Sequence, residues 1–177
     1  MTKITNFASH LLKNRCGVAA IEFALLAPIM LVMLTGVVEL SYLMMAERRV
    51  SGAAHAAADL IAQETDLTSS DISEIFQASR LIMEPFDDAD LTLGAVSVLF
   101  DDDTGDATVD WSENYNGGSV DDPTSLTADL ADPGKSVIIV SATFSYTPVL
   151  GVVLSGTFTL DSTAITRPRY LDNVGLF

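Results

Sequence analysis

The feature that most constrains this chain lies near its start, where residues 18–46 form a run of 29 with only two charged side chains, Glu22 and Glu39. Within it, residues 23–38 carry no charge at all. A helix of about 20 apolar residues crosses the ~30 Å hydrocarbon core of a bilayer, so the run is long enough to span one. A helix of a soluble core would be apolar along one stripe, whereas this one is apolar all round. Two targeting signals fit less well. Ala54-His55-Ala56 has the letters of a secretory cleavage site but lies beyond Glu47, Arg48 and Arg49, far past the apolar core. A lipoprotein signal would place the apolar core before the cysteine, and here Cys16 precedes it.

Charge divides at the same place. Residues 1–49 hold Lys3, Lys13, Arg15, Arg48 and Arg49 against Glu22, Glu39 and Glu47, while residues 50–177 set Arg80, Lys135, Arg167 and Arg169 against 21 acids. That split reconciles a net charge of -15 with a mean hydropathy of +0.35. The basic residues ahead of the span and the acidic chain behind it predict a cytoplasmic N-terminus and an outer C-terminal domain, with Arg48 and Arg49 opposing. Nine Lys and Arg in total offer no basic surface for phosphates, which excludes nucleic-acid binding. A lone cysteine excludes a disulfide scaffold. Val, Ile, Leu and Phe stay frequent in the acidic half, so it is not a disordered tail.

The junction between leader and span holds the most informative residues. Gly17 ends the basic leader, Val18 to Ile21 follow, and then Glu22 stands just ahead of Phe23 and the apolar core. An acid inside a spanning helix costs up to ~2.5–3.5 kcal/mol at the centre and less near an end, so it calls for a partner. Cleavage after Gly17 would expose the α-amine of Val18, with a pKa near ~7.7–8.0, one helical turn from Glu22. That amine, on the same or a neighbouring subunit, would neutralise the carboxylate. The alternative is a Glu22 that snorkels to the cytoplasmic headgroups. Ala20, Ala24 and Ala27 leave one flank of the helix shallow, as close helix–helix contacts require, and Pro28 predicts a kink.

These residues resemble the processing site of type IV pilin-like proteins, which a prepilin peptidase cuts. More closely, they resemble the TadE-like proteins of the Tad (tight adherence, Flp) pilus system. The resemblance is carried by Ala20-Ile21-Glu22-Phe23-Ala24, Pro28, Gly36-Val37-Val38-Glu39 and the alanines from Ala53 to Ala58. Ser145-Tyr146-Thr147-Pro148 and Arg167-Pro168-Arg169-Tyr170 are similar to the family's C-terminal strands. The resemblance implies a cut between Gly17 and Val18, assembly through Glu22 and Phe23, and helix packing through Ala20, Ala24, Ala27, Pro28, Gly36 and Glu39. It implies as partners the prepilin peptidase, other Tad pilins and pseudopilins, inner-membrane assembly proteins and membrane lipid. The major Flp pilin is similar at the cut site but very short, so the large outer domain favours a minor pilin or pseudopilin.

Beyond residue 46 the helical spacing continues through Val50, Ala54, Ala57, Leu60 and Ile61, which predicts one helix from Val18 to Glu64 with Gly52 its weak point. Ser69-Ser70-Asp71 with Glu74 reads as a capped helix start, and Ile72, Ile75, Phe76, Ile82 and Met83 as the apolar stripe of a helix over 71–84. The period then changes to two, predicting strands at 91–100, 107–112, 136–146 and 156–166. Residues 101–106 would close a hairpin, 113–133 a long loop, and 149–154 either an apolar loop or a partner contact. The expected architecture is α+β: a leader over 1–17, a transmembrane helix over 18–46, its extension over 47–66, and an acidic domain over 67–177 with one helix on a mainly antiparallel four-stranded sheet.

Asp101, Asp103 and Asp106 invite a calcium reading, but an EF-hand loop needs glycine at its sixth position and glutamate at its twelfth, where this chain has Asp106 and Ser112. A solvated turn is the expectation. The outer part holds one histidine, His55, and no cysteine, which leaves no nucleophile–base pair and no zinc cluster. Neither enzyme activity nor a cofactor is expected. Two readings follow: a cleaved TadE-like minor pilin of the inner membrane with a periplasmic domain, or an uncleaved membrane-anchored assembly or binding factor.

Overall fold

The computed structural model describes residues 16–177, so Lys3, Lys13 and Arg15 of the expected leader lie outside the described residues. Among the described residues the first element is a single helix, α1, Cys16–Ile61, that runs on through Pro28. It closes three residues short of the expected end at Glu64, because the amides of Gln63 and Glu64 turn back onto the carbonyls of Leu60 and Ile61. Helix α2, Ser69–Arg80, begins two residues earlier than expected. Its capping box uses Thr68 and Asp71 in place of the serines and Glu74. The Thr68 hydroxyl accepts from the Asp71 amide at 3.2 Å, and the Asp71 carboxylate accepts from the Thr68 amide at 2.9 Å. The predicted helix over 71–84 ends as α at Arg80 and continues as a 3-10 turn, Leu81–Met83.

Four antiparallel strands follow, β1 (Leu91–Phe100), β2 (Ala107–Tyr115), β3 (Ser136–Tyr146) and β4 (Phe158–Thr166), in the order β2-β1-β3-β4. The fold is therefore α+β, as the patterning predicts. β1 and β3 are central and apolar on both faces. Leu91, Leu93 and Ala95 of β1 with Ile138, Val140, Ala142 and Phe144 of β3 face the helices, packing against Ile72, Phe76 and Met83 and against the alanine face of α1. α1 lies along β3 and β4, and α2 lies beside it toward β2. The small side chains Ala46, Ala54, Ala57 and Ala58 are what let so long a helix sit close on its own sheet.

The opposite face carries a smaller core of Val96, Val98, Phe100, Val137 and Ile139, covered by Val120 and Leu130. The segment expected to be a long loop supplies that cover. Its first residues, Glu113 to Tyr115, extend β2, and it also contains a short helix, α3 (Pro123–Leu126), and a 3-10 turn, Ala128–Leu130. Gly94 permits the crossing, since a Cβ there would lie 2.9 Å from the backbone of Ser119.

After β4 the chain is not a strand, contrary to the similarity noted for Arg167 to Tyr170. It forms a latch instead. The Arg169 amide donates to the Ala62 carbonyl at 2.9 Å and its guanidinium pairs with Asp59, while Arg167 bonds Asp132 and the Leu130 carbonyl. The end of the chain then runs under the sheet, where Trp111, the sole tryptophan, donates its indole N–H to the Val174 carbonyl at 2.7 Å.

Candidate functional site

The first turns of α1 are bare. Gly17, Val18, Ala20, Glu22, Phe23, Ala24 and Pro28 are all exposed, with Phe23 at 66%, and Ala27 is half-exposed. Among the described residues Glu22 makes no hydrogen bond or ion pair. Ala27 floors a hollow flanked by Phe23, Met30, Leu31 and Leu34, so the shallow flank read from the alanines exists as a surface. From Val18 to Leu34 the large apolar side chains are exposed with no covering from the outer domain, and the helix is long and apolar enough to cross a membrane.

The two carboxylates of the run have opposite surroundings. Glu39 is only 2% exposed. Its carboxylate accepts three backbone N–H groups in succession, from Val152 at 2.7 Å, Val153 at 3.0 Å and Leu154 at 2.6 Å. Gly151, with φ at +63°, sets the bend that aims those amides at one point, a conformation glycine adopts without strain. Gly36, one turn earlier on α1, leaves room for Val153, whose Cγ2 would stand 3.4 Å from any Cβ placed there. Gly36 and Glu39 therefore seat the chain's own β3–β4 loop. Residues 149–154, open to reading as an apolar loop or a partner contact, form an apolar loop whose Val149 and Val152 side chains are exposed. Sequence reasoning missed this pairing, and only the absence of charge from Ser136 to Leu160 hinted at it.

The remaining expectations are placed simply. His55 is exposed, its ring Nδ1 2.9 Å from the Ser51 carbonyl. Asp101 turns its carboxylate onto its own hairpin, accepting from the amides of Asp103 and Thr104 and from the Thr104 hydroxyl. Those donors, the Thr104 amide foremost, hold its pKa below the usual carboxylate value. Asp71 is lowered by the Thr68 hydroxyl and amide, and Asp132 by Lys135 first and then Arg167. Carboxylates lowered by folding stabilise the native state above the unfolded pKa of ~3.9, and that contribution disappears as pH falls through the lower folded values. Acid titration followed by Trp111 fluorescence should therefore show the outer domain losing stability below about pH 4. Asp71→Asn and Asp101→Asn should each flatten that slope; an unchanged slope in both would sink the assignment.

Among curated proteins and among solved structures, none matches the chain. Residues 17–59, from the bare Gly17 through Glu22 and Glu39 to the alanine face, match the family model described as TadE-like protein, so over helix α1 the chain is similar to that family.

Proposed function

We propose that the chain is a minor pilin or pseudopilin of a Tad (Flp) pilus, processed by a prepilin peptidase between Gly17 and Val18. It is anchored in the inner membrane by the bare part of α1, with the N-terminus cytoplasmic and the acidic domain periplasmic. The observation that carries this reading is the TadE-like match over residues 17–59, which coincides with an exposed carboxylate one turn beyond the Gly17–Val18 bond. The outer domain covers α1 only from about Gly36 onward, which leaves residues 18–35 uncovered, free to cross lipid and to meet other helices. That is a shorter span than 18–46. The hollow at Ala27 suits the side chain of a neighbouring helix.

A second reading is an uncleaved, membrane-anchored assembly factor. It is favoured by one observation: Cys16, Gly17 and Val18 all belong to α1, so the Gly17–Val18 bond lies within the helix. Intact mass and N-terminal sequencing of the protein from native membranes and from sheared filaments separate the two. A mature chain starting at Val18, dependent on the peptidase and present in the sheared fraction, is the expected result. A start at Met1 in both fractions would overturn the cleavage and leave the anchored factor.

A further inference from the structure

The β3–β4 loop, residues 147–157, presents apolar side chains outward at the level where α1 leaves the outer domain. Val149 is 80% exposed and Val152 60%, with Leu150 and Val153 about half-exposed. These side chains belong to a domain otherwise dense in acids, yet no charged residue occurs from Ser136 to Leu160. The depth of the loop follows from α1. Starting the hydrocarbon at Val18, about 20 residues at ~1.5 Å each reach Val38, and any later start moves the outer boundary further along the helix. Gly36 therefore lies within hydrocarbon, and Val153 packs directly on Gly36.

Irregular backbone does not enter lipid unless its polar groups are satisfied from within. Here the three amides of Val152, Val153 and Leu154 and the carboxylate of Glu39 satisfy one another, so the pair can leave water together at a cost neither could bear alone. A cavity of about 260 Å³ remains between loop and helix, its walls apolar apart from Glu39 and two tyrosines, Tyr42 and Tyr146. We propose that residues 149–153 insert into the outer leaflet beside α1, with Glu39 as their seat, so that the outer domain has a second contact with lipid. The proposal rests on α1 being the membrane span.

The test uses the full chain with Cys16→Ser, reconstituted in vesicles of phosphatidylethanolamine and phosphatidylglycerol, some bearing nitroxide-labelled acyl chains. Single cysteines at Leu31→Cys, Val152→Cys and Asp103→Cys carry a polarity-sensitive fluorophore, and Trp111 emission verifies folding. Asp103 sits on the β1–β2 hairpin, at the opposite end of the sheet from the loop. The expected result is blue-shifted, lipid-quenched emission from both Leu31→Cys and Val152→Cys, with Asp103→Cys unaffected. Adding Glu39→Ala should abolish quenching at Val152→Cys while sparing Leu31→Cys. Quenching at Leu31→Cys with a water-like Val152→Cys would overturn the insertion and leave the anchor intact. A water-like signal at both positions would overturn the anchor itself, and undiminished quenching at Val152→Cys in the Glu39→Ala chain would remove Glu39 as the seat.

Discussion

Glu22→Ala is expected to remove the protein from sheared filaments while leaving it folded and membrane-bound. The side chain is exposed and touches nothing in the outer domain, so its loss should not disturb the fold. The substitution also takes a charge out of an apolar helix, which favours retention in the bilayer. Under the proposed cleavage, what it removes is the carboxylate that would pair with the α-amine of Val18 on a neighbouring subunit. About 1.4 kcal/mol per association step is tenfold in the equilibrium constant, and truncating one partner of a desolvated ion pair costs more than that. The amount recovered in the sheared fraction should thus fall by about tenfold or more. Glu22→Gln, which keeps the shape and loses the charge, should behave alike. Wild-type recovery for both would exclude the pairing, and loss of processing at Gly17 would locate the defect upstream of assembly.

The second large effect concerns the outer domain. Phe76 is fully enclosed between α1, α2 and the sheet, in the same core as Trp111. Truncating such a ring removes its transfer energy and leaves a cavity, a loss of about 3–5 kcal/mol. Against the ~5–15 kcal/mol typical of a domain, that is about a fifth of the stability at the least. Urea unfolding of the detergent-solubilised chain, read by the single tryptophan, should show the midpoint of Phe76→Ala moving far below that of the parent. Phe23→Ala, on the bare helix, should leave the same midpoint within ~0.5 kcal/mol. A loss under about 1 kcal/mol for Phe76→Ala would mean that α2 does not close the core.

The sequence disclosed some of these elements and hid others for physical reasons. β1 and β3 read with their observed bounds because both faces are largely buried, so apolar and small uncharged residues continue from Leu91 to the acidic turn at Asp101 and from just after Lys135 to Tyr146, ahead of Pro148. β2 read three residues short. It is an edge strand with only Trp111 fully buried, and a register shift opposite Ser97 and Val98 spoils its alternation. Glu113 looks like loop, but its carboxylate accepts a hydrogen bond from the Ser69 hydroxyl and its backbone pairs with Ala95. β4 starts later than its pattern because Gly156 turns the chain with φ at +94°. The bare end of α1 was legible, since an apolar run with a single early acid needs no tertiary information. The seat at Glu39 was not, because its partners lie 113 to 115 residues away and are backbone amides, which leave no mark in side-chain patterning.

α1 is fastened to the rest of the fold near both ends of their shared face: at Glu39 by the loop amides, and at Ala62 and Asp59 by Arg169. Between those points about 22 residues, ~33 Å of helix, lie along β3 and β4. Tension drawn along the helix axis therefore runs parallel to that face. It strains the two fastenings and the alanine packing together, as a lap joint is strained, instead of peeling contacts one after another from a free edge. A pull of that direction meets the whole joint at once, whereas a pull across the helix meets only the fastening nearest to it.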